Sequence, residues 1–531
     1  MHHAATAAAA TVPGEATRRY LAALRDRGPL TIDRSTAPTR HKRYPGAPRI
    51  VLPWPTSPDR TGLSAVGELL RELLGVARLI WFHQVDDTGR PVGGPPVLLL
   101  GRPAPSGGAL YPIEAYLAVG GPETAGLYHY DPVHHLLERV RDGDHRAALA
   151  GIPDVAPAVR PDVVLVLSAV FWRSMFKYGD LGYRLVCQET GVLLAQALAV
   201  GERLGMTGEI RLRFADPRLD RLLGLDGRRE GALAVLVLEL PDGPVRPGRP
   251  VDPGDPPPAV PESTPAPRRM PPGGAAAALH EATRNAAPPT REVPGATSPG
   301  GAPAAREATE FALPPAPAVR LADGVPYRAS PPVGFRPVPL AADTLAAVLA
   351  AAAGPYPSDL ARDAPATELY LLALRVGGLR PGAYRYDRER RVLCRVAGES
   401  AVAGVLGGRL LPNTRIALPG AAAALIPAGD PLAGVPRHGD RWYRMQQIET
   451  GLLLQRATLA AAALGLTARI HSDGANETTD RVLGLAGTSR RSLSFLCIGT
   501  PRAGGPALAR PIPAGPRKGG GHPQITYGRQ C

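Results

Sequence analysis

The sequence predicts an α+β fold in which one sheet domain occurs twice. Three observations lead there: a length too great for a single core, an internal repeat, and alternating helical and strand periodicities within each repeat. At 531 residues the chain exceeds what one core usually organises, and two domains of about 200 residues are the natural expectation.

The repeat is direct. YGDLGYRLVCQETGVLLAQ, from Tyr178, aligns without gaps on HGDRWYRMQQIETGLLLQR, from His438. This pairs Tyr183 with Tyr443, Arg184 with Arg444, Glu189 with Glu449 and Gly191 with Gly451, all 260 residues apart. The offset carries through Leu204-Gly205 and Leu464-Gly465 to RLLGL at 221–225 and RVLGL at 481–485. Upstream, GLYHYDPVHHLLERV at 126–140 matches GAYRYDRERRVLCRV at 382–396. A match this extended marks a duplication. The division that follows is an N-terminal extension (1–41) with one amphipathic stretch from Glu15 to Arg27, a first domain (42–240), a linker (241–316), a second domain (317–502) and a flexible tail (503–531). Eighteen prolines between 241 and 310, with little hydrophobic periodicity, predict a semi-extended, disordered linker.

Within the first copy, LSAVGELLRELLGVA (63–77) has apolar residues at helical spacing. IEAYLAVG (113–120) and VVLVLSAV (163–170) read as strands, the second apolar enough for burial on both faces. LYHYD and HHLLERV form a hairpin-like pair. Tyr183 to Leu204 is a long helix, apolar on most sides, as at a domain interface. EIRLRF, the helical turn DPRLDRLLGL and the strand ALAVLVLEL close the copy.

Composition narrows the class. The apolar fraction is 44%, that of a globular protein, and no breaker-free apolar run of membrane-spanning length or secretory signal occurs. The reading is a soluble, cytoplasmic protein. Four scattered cysteines (Cys187, Cys394, Cys497, Cys531) form no CxxC pair, and His134 and His135 stand alone, so no metal is expected. The formal charge of +14 is spread as single arginines without a basic stripe, which argues against nucleic acid. Only Lys42, Lys177 and Lys518 are lysines among 61 basic residues. A lysine that survives such a bias offers a compact, movable charge that guanidinium cannot replace. Lys42 and Lys518 lie in sequence expected to be peripheral, which singles out Lys177.

RPAPSGGALYPIEAYLAV (102–119), followed by KYGDLGYR (177–184), resembles the SagB-type branch of the nitroreductase superfamily, the azoline dehydrogenases. The opening KRYPGAPRIVLPWP (42–55) is similar to that branch as well. The likeness covers both domains and leaves the linker and termini aside. It implies two tandem nitroreductase-like domains forming an intramolecular pseudo-dimer, FMN as cofactor, an azoline-containing precursor peptide as substrate, and a YcaO-type cyclodehydratase complex as partner. The implied reaction oxidises thiazoline and oxazoline rings to thiazoles and oxazoles, with molecular oxygen as final acceptor.

The residues fit such a cofactor. Pro105-Ser106-Gly107-Gly108 offers a hydroxyl, free amides and no side-chain obstruction, while Arg102 offers a cationic fork for a phosphate; Arg184 is a further cofactor-binding candidate. Lys177 and Tyr178 match the branch's Lys-Tyr pair and are expected on a turn. An ammonium beside a phenol lowers its pKa and readies it as a base. Arg184 with Glu189, and Arg444 with Glu449, are equally readable as structural ion pairs. The second copy has Arg437-His438 and Pro357-Ser358-Asp359 at the matching places, and an aspartate there repels a phosphate, so it reads as a degenerate partner. The first copy reduces the family's Arg-x-Ser-x-Arg segment to Ser57-Pro58-Asp59-Arg60, and has Ile210-Arg211-Leu212-Arg213 where a Gly-containing strand usually faces the flavin. Two rival readings stand beside the favoured one: a general NAD(P)H-dependent nitro or quinone reductase, and a flavin-less scaffold that docks a modified peptide.

Overall fold

A computed structural model describes residues 12–28, 32–54, 62–83, 93–150, 161–243, 245–248, 268–285, 309–360, 367–503 and 507–511. Two large antiparallel sheets share one strand order. In the first, strands Arg49–Val51, Leu136–Asp142, Gly126–Asp131, Ile113–Val119, Val163–Val170, Glu230–Glu239 and Thr207–Arg211 lie side by side. In the second, Glu310–Ala312, Val392–Ala397, Gly382–Asp387, Glu368–Ala373, Ala423–Gly429 and Leu496–Pro501 follow the same path, and Thr467–Ile470 pairs with Leu496–Pro501. Every strand of the first sheet has its counterpart in the second, which adds the short strands Phe335–Arg336 and Arg491–Ser492. Val163–Val170 is buried along its whole length, as its unbroken run of branched and aliphatic residues requires.

The halves meet through two 23-residue helices, Leu181–Arg203 and Arg441–Ala463. Both are buried on nearly every side, which explains their lack of a polar face. They cross at the duplicated glycines. A Cβ on Gly191 would overlap the carbonyl oxygen of Ile448, and one on Gly451 that of Gln188. Only glycine permits this backbone approach. On either side, Gln188 donates to Gln447 at 2.8 Å and Gln455 to Gln196 at 2.7 Å, so buried amides are paired across the seam.

Three expectations need correction. The linker is not disordered throughout: Ala275–Asn285 is a helix, with Leu279, His280 and Thr283 buried. Its docking is invisible to a test for linker composition because alanine packs closely without a strong amphipathic pattern. The N-terminal extension likewise contains a docked helix, Glu15–Arg25, whose Tyr20 is fully buried between Tyr183 and Tyr443. The tail, expected to be flexible, contributes strand Ala507–Pro511, which pairs with Arg78–Phe82 in a small sheet completed by Val97–Gly101.

The two docked helices also obey the 260-residue offset. Each is capped by an aspartate of the opposite copy: Asp440 accepts from the amides of Gly14 and Thr17, and Asp180 from that of Ala276. The duplicated unit therefore includes an N-terminal arm, and the arms are exchanged between the halves.

Lys42 is not peripheral. It is buried, 2.6 Å from Glu230, hydrogen-bonded to Tyr116 and 5.2 Å from the rings of both Tyr44 and Tyr116. Its compact ammonium fits between two phenols and a carboxylate where a guanidinium fork would not. Lysine scarcity thus marks a structural residue as well as a candidate functional one. Lys518, Cys531 and the segment Ser57–Arg60 lie outside the described residues. Among the described residues no helix is long and apolar enough to cross a membrane.

Candidate active site

Strand Val97–Gly101 delivers the chain to Arg102, and a tight loop follows. Gly107–Ala109 is a single 3₁₀ turn, with φ +65° at Gly108, +54° at Ala109 and +48° at Tyr111. Left-handed conformations so close together are tolerated because the loop is strapped: the Tyr111 amide donates to Ser106 Oγ at 2.9 Å, and the Arg102 amide to the Tyr111 hydroxyl at 3.1 Å. The Gly107 amide donates to Glu189 Oε1 at 2.8 Å, which ties the loop to the central helix.

Lys177 and Tyr178 close the short helix Trp172–Tyr178, which ends at Gly179 with φ +54°. They were expected on a turn; they are instead a helix's last two residues, and the left-handed glycine stops it there. Arg173, one turn earlier, fixes the helix by donating to Thr39 and Tyr111 carbonyls and pairing with Glu114. Burial opposes the charge on Glu114, but Arg173 and His129 outweigh it and hold the carboxyl well below the usual range. Thus anchored, the helix brings both side-chain ends to one spot: a Cβ on Gly108 would lie 2.7 Å from Tyr178 Oη and 2.8 Å from Lys177 Nζ. The ammonium lies 5.3 Å from the Tyr178 ring centre.

The electrostatics differ from expectation. Burial pushes the Tyr178 phenol up to about 12, Glu189 adding to the shift and Arg469 of the second copy opposing it. A lowering by the neighbouring Lys177 was expected; desolvation instead dominates, and the opposing cation is Arg469. Burial also pushes the Glu189 carboxyl up to about 7, against the Gly107 amide, Ser106 and Arg102.

Arg102 is buried, stacks on Tyr111 at 4.8 Å and has an Nη1 without a hydrogen-bond partner among the described residues. It lines, with Pro105, Ser106 and Glu189, a cavity with room for about one water molecule. The expected ion pairs are absent: Arg184 donates to the Leu493 carbonyl and Arg444 to Asp216, while Glu449 accepts from Tyr356 and Thr367. Residues five apart on a helix point about 140° away from each other and cannot meet. Arg184 therefore bridges the halves; among the described residues it makes no hydrogen bond to the 102–108 loop.

Two residues were missed. Arg328, from the second copy, is buried, donates from Nε to the Pro103 carbonyl at 2.5 Å, and has an Nη1 without a partner among the described residues. Burial and Arg78 lower its guanidinium to about 9. Arg469, also from the second copy, reaches the electrostatic field of Tyr178. The signal for Arg328 is present in the sequence: Arg328-Ala329-Ser330 is an Arg-x-Ser segment ahead of helix Ala342–Ala353 in the second copy.

No family model matches the chain. In sequence it is 31% identical over 142 residues to the microcin B17-processing protein McbC of Escherichia coli, covering 25% of this chain and 52% of McbC. It is 30% identical over 148 residues to the trifolitoxin-processing protein TfxB of Rhizobium leguminosarum, covering 26% of this chain and 39% of TfxB. The matches thus span about half or less of these relatives' length. In structure it resembles a protein of Anabaena variabilis provisionally named a nitroreductase, with TM-score 0.73 and 23% identity over 92% of this chain and 99% of that one. The fold is that of the nitroreductases, carried twice. These likenesses support the resemblance to the SagB-type branch of the nitroreductase superfamily.

Proposed function

We propose that the chain is an FMN-dependent dehydrogenase that oxidises thiazoline and oxazoline rings to thiazoles and oxazoles in a ribosomally made precursor peptide, after a YcaO-type cyclodehydratase has formed the rings. The observation that carries this reading is the convergence of Lys177, Tyr178 and Glu189 on the Gly107-Gly108 loop. The likeness to two proteins named for the processing of peptide natural products supports it.

The residues present fit a flavin. The loop offers backbone without a side chain at Gly108 and the buried Nη1 of Arg102, and the second copy adds the Nη1 of Arg328, both without a hydrogen-bond partner among the described residues. Lys177 and Tyr178 cover Gly108 with the far ends of flexible side chains, which can give way to a planar ring. Arg102, Ser106, Gly107 and Gly108 would hold the cofactor, with Arg328 supplying charge for a phosphate; the fused second copy thereby completes the site as an intramolecular pseudo-dimer. When bound, the flavin supplies a two-electron acceptor for hydride.

The chain's own groups handle the accompanying proton. Tyr178 stays a neutral phenol at physiological pH, so it donates a hydrogen bond and orients the ring rather than acting as a ready-made phenolate. Lys177 brings positive charge to where negative charge develops as the ring carbon loses its proton. Glu189 changes charge near neutrality and sits within the same group of side chains.

The test is direct. The purified protein is given FMN and a cyclodehydratase-treated peptide, and ring mass is followed by mass spectrometry. A yellow protein and the loss of two hydrogens per azoline are expected. A colourless protein even after FMN addition, or unchanged azolines, would overturn the reading.

A further inference from the structure

We propose that this chain holds a single flavin, in the first site, and that Asp359 seals the equivalent place in the second copy; the inference rests on the flavin reading above.

Pro357-Ser358-Asp359 stand in the second copy where Pro105-Ser106-Gly107 stand in the first. Instead of standing clear, this loop is zipped onto the first copy's strand. The Ile210 amide donates to the Pro357 carbonyl at 3.0 Å, the Asp359 amide to the Ile210 carbonyl at 3.1 Å, and Ile210 and Ser358 form a parallel bridge. The Asp359 carboxylate then accepts from the Leu212 amide at 3.0 Å and the Arg213 amide at 2.9 Å, while Arg213 donates back to the Asp359 carbonyl at 3.0 Å. Asp359 is 1% exposed.

The strand is clamped from the other side as well. Arg441, from the second copy's central helix, donates to the Leu212 carbonyl at 2.8 Å and the Phe214 carbonyl at 2.7 Å and pairs with Asp216. Glu449 is occupied by the hydroxyls of Tyr356 and Thr367. His438, at the place of Tyr178, is buried and stacks on Trp442. The polar groups that a ligand would need are thus engaged by the protein itself.

The bonds made by Asp359 and Arg441 have no counterpart in the first site, for reasons written in the sequence. Gly107 replaces Asp359 and has no carboxylate; Leu181 replaces Arg441 and has no donor. Among the described residues no backbone hydrogen bond joins the 105–108 loop to residues 467–474. A ligand entering the second site would have to pull a buried carboxylate off two amides and leave it without partners, a cost that grows with burial. In the first site the loop's carboxylate partner is Glu189, which accepts from the Gly107 amide at 2.8 Å, and no loop carboxylate is bonded to the facing strand among the described residues.

The test uses the full chain. Flavin released from protein saturated with FMN is quantified by absorbance, and hydrogen exchange is compared with and without FMN. One flavin per chain is expected, with new protection confined to peptides covering 105–110 and 470–474, and with 209–214 protected equally in both states. A Gly108→Val variant, folded by circular dichroism, is expected to lose the flavin. Two flavins per chain, flavin-dependent protection at 209–214, or one flavin surviving in Gly108→Val would overturn the inference while leaving the flavoprotein reading intact. A wild-type chain that takes up no FMN would overturn both. The exchange measurement stands on the wild type alone and does not depend on the variant folding.

Discussion

The hydroxyl and the amide of Thr17 both donate to one carboxylate oxygen of Asp440, at 2.7 and 2.8 Å, across 423 residues of chain. With the Gly14 amide on the other oxygen at 3.0 Å, Asp440 provides the cap that the first turn of helix Glu15–Arg25 lacks in its own sequence. Asp440→Ala is expected to destabilise the protein by about 1–3 kcal/mol, read in urea denaturation. Asp180→Ala, which removes one 3.3 Å bond to Ala276, is expected to cost less. Equal costs would contradict the difference in geometry.

Because each arm docks on the opposite half, the covalent link between the halves is dispensable once folding is complete. A protease site introduced between residues 249 and 267 and cut in the folded protein is expected to leave the fragments co-eluting on size exclusion. Separation of the fragments without denaturant would refute this.

Gly191 and Gly451 leave no space where the central helices cross. Alanine at either position forces the backbones apart, with a loss of about 1–3 kcal/mol or more. The same change at Gly201, where an added Cβ has only the Met206 side chain at 3.7 Å, is expected to be far milder. Comparable melting temperatures for Gly191→Ala and Gly201→Ala would argue against the crossing.

Glu189 ties stability to pH. Its carboxyl is raised to about 7 in the fold from about 4.5 unfolded, so the fold favours the protonated form. Its contribution is fully present below about pH 4.5 and is lost as pH climbs to about 7, up to roughly 3 kcal/mol. Glu189→Gln cannot ionise and should gain on the wild type across that window. Melting of both flavin-free proteins at pH 5 and pH 8 measures it; a constant difference between them would exclude the shift.

For the proposed reaction, Lys177→Ala and Tyr178→Phe are expected to slow azole formation by about 10²–10⁴-fold with the flavin absorbance retained. Steady-state rates with flavin content measured in parallel separate a chemical role from a binding one. Unchanged rates would remove the pair from the mechanism.

The sequence by itself determined the duplication, most elements of the repeat and the loop at 105–108, because these rest on local patterns. Offset identities, alternation of apolar residues and a Pro-Ser-Gly-Gly turn are all read within a few tens of residues. What it left undecided depended on partners far along the chain. Tyr178 is pushed up rather than down because burial and Glu189 outweigh Arg469, and burial is a property of the packed site. Lys42 became a core residue because Glu230 and Tyr116 meet it across the sheet. The amphipathic stretch at 15–25 was legible but its docking was not, and the arm at 275–285 read as linker, because aspartates of the opposite copy supply their caps. Only the tertiary structure decided that the two copies are unequal in space. One loop stands clear of its facing strand and the other is bonded to it through Asp359, a difference set by which buried hydrogen bonds each loop can complete.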